Sequence, residues 1–269
     1  HADREERHYT TTAPHHGVAV PLPDGTLVVS EGTSEARTGA QALDADDAVI
    51  ATSSDCPDLH GEGVAAAEAV VFGCADGALV FKDGAFTKLT APEPRGRIST
   101  LYAVEESAVA LGDYEVEGAS ENRLVALVNT AAGTISTVEL PTAYYGFNDA
   151  ARTEDGGAMV LGLDGVLYMI DVEAATVTAA YPVIAPYETP QTWQEPAPKL
   201  LVLDGMVYIT EPAAKKIHVV DPATGELWKS VDLDVVPGEI QGVSGDSEAE
   251  HDHDHEEDEG HEEEEGQED

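Results

Sequence analysis

The chain has 269 residues, enough to bury a substantial core as one large domain or two ordinary ones. Its 13 Lys and Arg stand against 53 Asp and Glu, a formal net charge of -40. That balance argues against nucleic acid and anionic lipid as partners, because both draw most of their affinity from basic side chains neutralising phosphates. A hydrophobic content of 42% with 25 Gly and 15 Pro excludes a wholly disordered chain, and with no run of about 18 apolar residues no membrane insertion is expected.

The chain begins at His1 rather than Met and shows no charged-then-apolar leader, so a processed or truncated start is expected. His1 and His8 lie near that terminus and carry little information. The first structured signal is Pro14-His15-His16-Gly17 followed by Val18-Ala19-Val20 and an Asp24-Gly25 turn into Thr26-Leu27-Val28-Val29. An Asp-Gly turn entering a short apolar or alternating run is the signature of hairpins in antiparallel sheet. The same pattern returns at Asp76-Gly77, Asp164-Gly165 and Asp204-Gly205, and helical periodicity is almost absent.

Between the first two turns lie the chain's two cysteines, Cys56 and Cys74, each beside turn-forming residues, with His60 in the Gly-bounded segment Leu59-His60-Gly61-Glu62-Gly63. A local disulfide would stabilise by roughly 3 kcal/mol in the chain-entropy picture. The alternative is two free, buried thiols; an extracytoplasmic chain, which the C-terminal segment also suggests, favours the disulfide.

A second unit, an apolar pair, a polar turn and another strand, occurs around Val128, Ile170 and Val220, with spacings of 42 and 50 residues. Such spacing is that of propeller blades, where roughly 40 to 50 residues make four strands. A single blade cannot bury both of its faces, so blades stack on their neighbours. The fold expected is therefore all-β, an incomplete β-propeller of five to six blades spanning residues 1–245; a β-sandwich or an irregular all-β domain is the alternative. Within the last of these units His218 stands beside Lys215 and Lys216, and is expected to face solvent.

From residue 246 to 269 the chain holds 15 acidic residues and no Lys or Arg, while the remainder still carries 38 acidic against 13 basic residues. With almost nothing apolar to bury, this segment is expected to be a disordered His/Asp/Glu-rich tail. His251, His253, His255 and His261 alternate there with carboxylates, and both groups suit a borderline cation such as Zn²⁺, although an alternating pattern sets no rigid geometry. In the body, His15, His16 and His60 lie in loops beside strands, and propeller loops converge on one face. They are the candidate ligands for a body site. No G-x-S-x-G, phosphate-binding loop or H-E-x-x-H occurs, and carboxylate pairs carry no diagnostic weight among 53 acids, so no enzyme is expected.

The segments PHHGVAVPLPDGTLVVSEG (14–32), SDCPDLHGEG (54–63), VVFGCADGALVF (70–81) and EPAAKKIHVVDPATGEL (211–227) resemble the AztD-type periplasmic zinc metallochaperones. The resemblance implies a β-propeller with a histidine-centred zinc site, a disulfide and a mobile His-rich segment that assists transfer. Carried over by position, it makes His15, His16 and His60 candidate zinc ligands, and it implies a Cys56–Cys74 disulfide. It further implies a periplasmic or secreted protein whose partner is the solute-binding protein of an ABC zinc transporter. Two departures stand out: the chain is short for the eight blades expected, as though the first were absent, and its His-rich segment is C-terminal. The rival readings are an interaction scaffold whose tail weakly buffers zinc, and a lactonase-like propeller hydrolase with a cation held mostly by oxygen ligands.

Overall fold

The structure, a computed structural model, describes residues 7–244; the tail with His251, His253, His255 and His261 lies outside the described residues. Among the described residues twenty-one strands form five antiparallel sheets, each built from strands consecutive in the chain. The first contains β1 (Ala19–Pro21), β2 (Leu27–Gly32), β3 (Arg37–Leu43) and β4 (Val49–Ser53). The second contains β5 (His60–Ala65), β6 (Ala69–Cys74), β7 (Gly77–Lys82) and β8 (Ala85–Thr90). The third has the short β9 (Gly96–Arg97) and β10 (Leu101–Tyr102), both on β11 (Val109–Val116), then β12 (Leu124–Asn129) and β13 (Thr134–Glu139). β14 (Ala150–Arg152), β15 (Ala158–Leu161), β16 (Val166–Asp171) and β17 (Thr176–Pro182) make the fourth. The fifth is β18 (Leu200–Leu203), β19 (Met206–Glu211), β20 (Lys216–Val220) and β21 (Leu227–Asp232).

Each sheet is a propeller blade. The leading strands β5, β10, β14 and β18 touch in succession, as do the trailing strands β4, β8, β13 and β17. Val128, Ile170 and Val220, which carry the sequence period, each fall in the third strand of their blade, β12, β16 and β20. The middle strands of a blade read as nearly unbroken apolar runs because both faces are covered, whereas a trailing strand such as β13 is half exposed. In β6, for example, Val70 and Phe72 face the first blade while Ala69 and Val71 face the third. Four such cores lie between consecutive blades, each buried Leu, Val or Phe contributing ~1.5–3 kcal/mol. Among the described residues no core joins the fifth blade back to the first, so the ring is incomplete, as expected, with five blades. Among the described residues no helix is long and apolar enough to cross a membrane.

Four antiparallel strands return the chain to the side from which it entered a blade, so all inter-blade connections lie on one face. That face receives residues 54–59, 91–100, 140–149 and 183–199, and the segment before β1 that carries His15 and His16.

Candidate metal site

His60 is the first residue of β5, and three independent constraints hold the loop before it. Cys56 and Cys74, both fully buried, form a disulfide with their Cα atoms 5.0 Å apart. The Cys56 and Asp58 amides donate to the Thr38 and Arg37 carbonyls of the first blade, at 3.1 and 2.9 Å. Leu59 is buried in the core between the first two blades. A bulge between His60 and Glu62 then turns the chain into β5, with Gly61 at φ +66. A Cβ on Gly61 would sit 2.5 Å from the Ser99 carbonyl oxygen, so only glycine allows the close approach of the 98–100 segment.

That approach fixes the imidazole. His60 Nδ1 lies 2.7 Å from Ser99 O, and a carbonyl oxygen can only accept, so the neutral ring carries its hydrogen on Nδ1 and presents a lone pair at Nε2. Ser99 is held in turn by Asp113 of β11. Asp113 Oδ1 accepts from the Ser99 and Thr100 amides, both at 2.7 Å, and Oδ2 accepts the Ser99 hydroxyl at 2.8 Å. Burial is the main influence on the Asp113 carboxyl and raises its pKa above the usual carboxylate range, against the lowering effect of these bonds.

His16, exposed on the segment before β1, stacks on His60 with ring centroids 5.3 Å apart and planes 11° from parallel. Imidazole lone pairs lie in the ring plane, so two nearly parallel rings do not converge on one ion without a rotation of one of them. His15 is differently placed. Its Nδ1 is 2.9 Å from Ala13 O and its Nε2 3.0 Å from Ser30 Oγ, so it would have to leave these partners to bind a metal. Asp58 points its carboxylate at Arg97, 3.3 Å away. Among the described residues no group of three or more His, Cys, Asp or Glu is gathered as a metal site; His16 and His60 come together as a pair.

His218 does not face solvent, as its lysine neighbours led us to expect. It is 6% exposed, with Nε2–H donating to Glu211 Oε2 at 2.8 Å and Nδ1 accepting from Ser230 Oγ at 2.8 Å. The reason is register: His218 pairs across β20 with Ile209 of β19 and Ser230 of β21, which places it in the middle of the blade between covering strands.

The same face holds buried groups that the sequence reading passed over. Asp149, fully buried before β14, accepts the Tyr145 and Gly146 amides on Oδ2 at 2.7 and 2.9 Å, while Oδ1 has no hydrogen-bond partner among the described residues. Desolvation is the largest influence on it and pushes its pKa up to about 6. Lys199 is buried beside it, its Nζ donating to Phe147 O at 3.0 Å and lying 3.9 Å from the Phe147 ring centroid. No local signal singles out either acid: Asp113 stands between Gly112 and Tyr114 and Asp149 between Asn148 and Ala150, and only the packing of the blades buries them.

No protein-family model matches the chain. Among curated proteins it is 29% identical over 252 residues to the zinc chaperone AztD of Citrobacter koseri, covering 90% of this chain and 58% of that protein. Among solved structures it superposes on apo AztD from Citrobacter koseri with a TM-score of 0.71 at 26% identity, covering 84% of this chain and 62% of the other. A second Citrobacter koseri AztD crystal structure gives 0.70 at 26% identity, with 85% and 62% covered. The chain spans less than two thirds of the length of these relatives. In sequence over nearly all its length, and in its propeller fold, the chain is similar to AztD, as its His15-His16-Gly17 and Cys56-to-Glu62 segments implied.

Proposed function

We propose that the chain is a zinc-binding metallochaperone rather than an enzyme, working outside the cytoplasm. It captures Zn²⁺ at His60 and His16 and passes it to the solute-binding protein of an ABC zinc transporter. The observation that carries this reading is His60 itself: a histidine at the start of β5 held by a disulfide, a bulge and an inter-blade hydrogen bond, with Nε2 presented beside a second imidazole. The similarity to a zinc chaperone supports zinc as the cargo.

Zn²⁺ prefers four ligands in a tetrahedron, so two imidazoles leave positions for water, for His15 released from Ser30, for a tail imidazole among His251, His253, His255 and His261, or for an acceptor's own ligand. An incomplete set suits a carrier, because the acceptor can enter the open positions before the donor lets go. The acidic surface raises the local cation concentration around the site.

Zinc titration against a competing chelator, with the chain intact and with residues 246–269 removed, tests the reading. One site that survives tail removal and weakens at least ~10-fold, about 1.4 kcal/mol, in His60→Ala is the expected result. Binding that disappears with the tail and ignores His60 would instead leave a propeller scaffold with a zinc-buffering tail.

A further inference from the structure

We propose that Asp113 is a positioning residue for the metal site, acting across the boundary between the second and third blades through Ser99 on His60. The inference rests on the reading of His60 as a zinc ligand, but its first test does not.

Asp113 uses both carboxylate oxygens on one short stretch of backbone. Oδ1 takes the amides of Ser99 and Thr100, and Oδ2 takes the Ser99 hydroxyl. These three bonds fix the orientation of the Ser99 peptide, whose carbonyl is the acceptor for His60 Nδ1–H. A histidine ligand commonly has its second nitrogen tied to a carbonyl or carboxylate, which sets the tautomer and aims the ring; here the carbonyl is itself held by a buried acid. The stretch is also wedged sterically. A Cβ on Gly73, the cross-strand partner of His60, would lie 2.3 Å from Ile98 O, and one on Gly61 would lie 2.5 Å from Ser99 O. Residues 98–100 therefore have little freedom to approach His60 more closely, and Asp113 prevents them from turning away.

Asp113 is 6% exposed and touches neither imidazole in any hydrogen bond, so its effect on the metal passes through the Ser99 carbonyl. A carboxylate makes this relay better than a neutral acceptor would, since hydrogen bonds to a charged oxygen are shorter and roughly twice as strong.

The test labels histidine with ¹⁵N in the intact chain and reads the His60 tautomer without metal, then measures Zn²⁺ affinity with a competing chelator. Asp113→Ala is expected to turn a pure Nδ1–H tautomer into a mixture and to weaken Zn²⁺ binding about 10-fold. Asp113→Asn keeps an oxygen for the two amides and should restore most of both. Leu111→Ala, two residues before Asp113 on the same face of β11 and packed in the core between the third and fourth blades, serves as a control: it lowers the melting temperature and leaves the tautomer alone. If Asp113→Ala does not fold, Ser99→Ala, which removes only the hydroxyl bond, should shift the tautomer in the same direction by less. An unchanged tautomer in the folded variant overturns the relay. A changed tautomer with unchanged Zn²⁺ affinity supports the relay and refutes His60 as a ligand.

Discussion

Replacing Asp149 by Asn should flatten part of the pH dependence of stability. The carboxyl is fully buried, its Oδ1 has no hydrogen-bond partner among the described residues, and its pKa stands at about 6 against an ordinary 3.8. The folded state therefore prefers the protonated acid. Between pH ~4 and ~6 the native protein holds a proton that the unfolded chain has released, so this group's contribution to stability is greatest below pH ~4, falls as pH rises, and is constant above pH ~6. The gap between 3.8 and about 6 corresponds to ~3 kcal/mol over that window. Asn keeps an acceptor for the Tyr145 and Gly146 amides and has no charge to desolvate, so at pH 7.5 the variant should be no less stable than the parent and at pH 4.5 clearly less favoured relative to it. Denaturant unfolding of both proteins at intervals from pH 4 to 7.5 isolates the effect, because the many other acids contribute to both and cancel in the difference. A difference between parent and variant that stays constant across this range would refute the reasoning.

Gly61→Ala should cost about 1–3 kcal/mol of stability and weaken Zn²⁺ binding, since its left-handed φ and the Ser99 carbonyl 2.5 Å away leave no room for a Cβ; unfolding and zinc titration report the two effects. His218→Ala should destabilise by about 1–3 kcal/mol by stranding the half-buried Glu211, while leaving Zn²⁺ affinity unchanged, so calorimetry and chelator competition should separate it from His60→Ala. Replacing Cys56 and Cys74 together by Ser should lower stability by roughly 3 kcal/mol and reduce Zn²⁺ affinity as well, because the disulfide anchors the loop before His60; unchanged affinity in the folded variant would separate the loop's anchor from the site.

The fold was legible because blades repeat. Val128, Ile170 and Val220 recur in the third strand of successive blades, and apolar runs such as Val70-Val71-Phe72 announce strands covered on both faces. The Asp-Gly turns were a looser guide. Asp24-Gly25 and Asp204-Gly205 join first to second strands, but Asp76-Gly77 and Asp164-Gly165 join second to third. A two-residue turn reports a hairpin, not its place in a blade.

By itself the sequence determined an all-β acidic protein, the spacing of its blades, the cysteine pair and the loops bearing His15, His16 and His60, because those features depend on short-range periodicity and turn chemistry. Only the tertiary structure decided which histidines meet. His16 and His60 stand 44 positions apart and come together because the chain re-enters each blade on the same face. His218, flanked by lysines, is buried by the register of its two neighbouring strands. Asp113 reaches His60 through Ser99, a connection between two blades that no local pattern encodes, because it depends on how closely the backbone at Gly61 and Gly73 lets residues 98–100 approach.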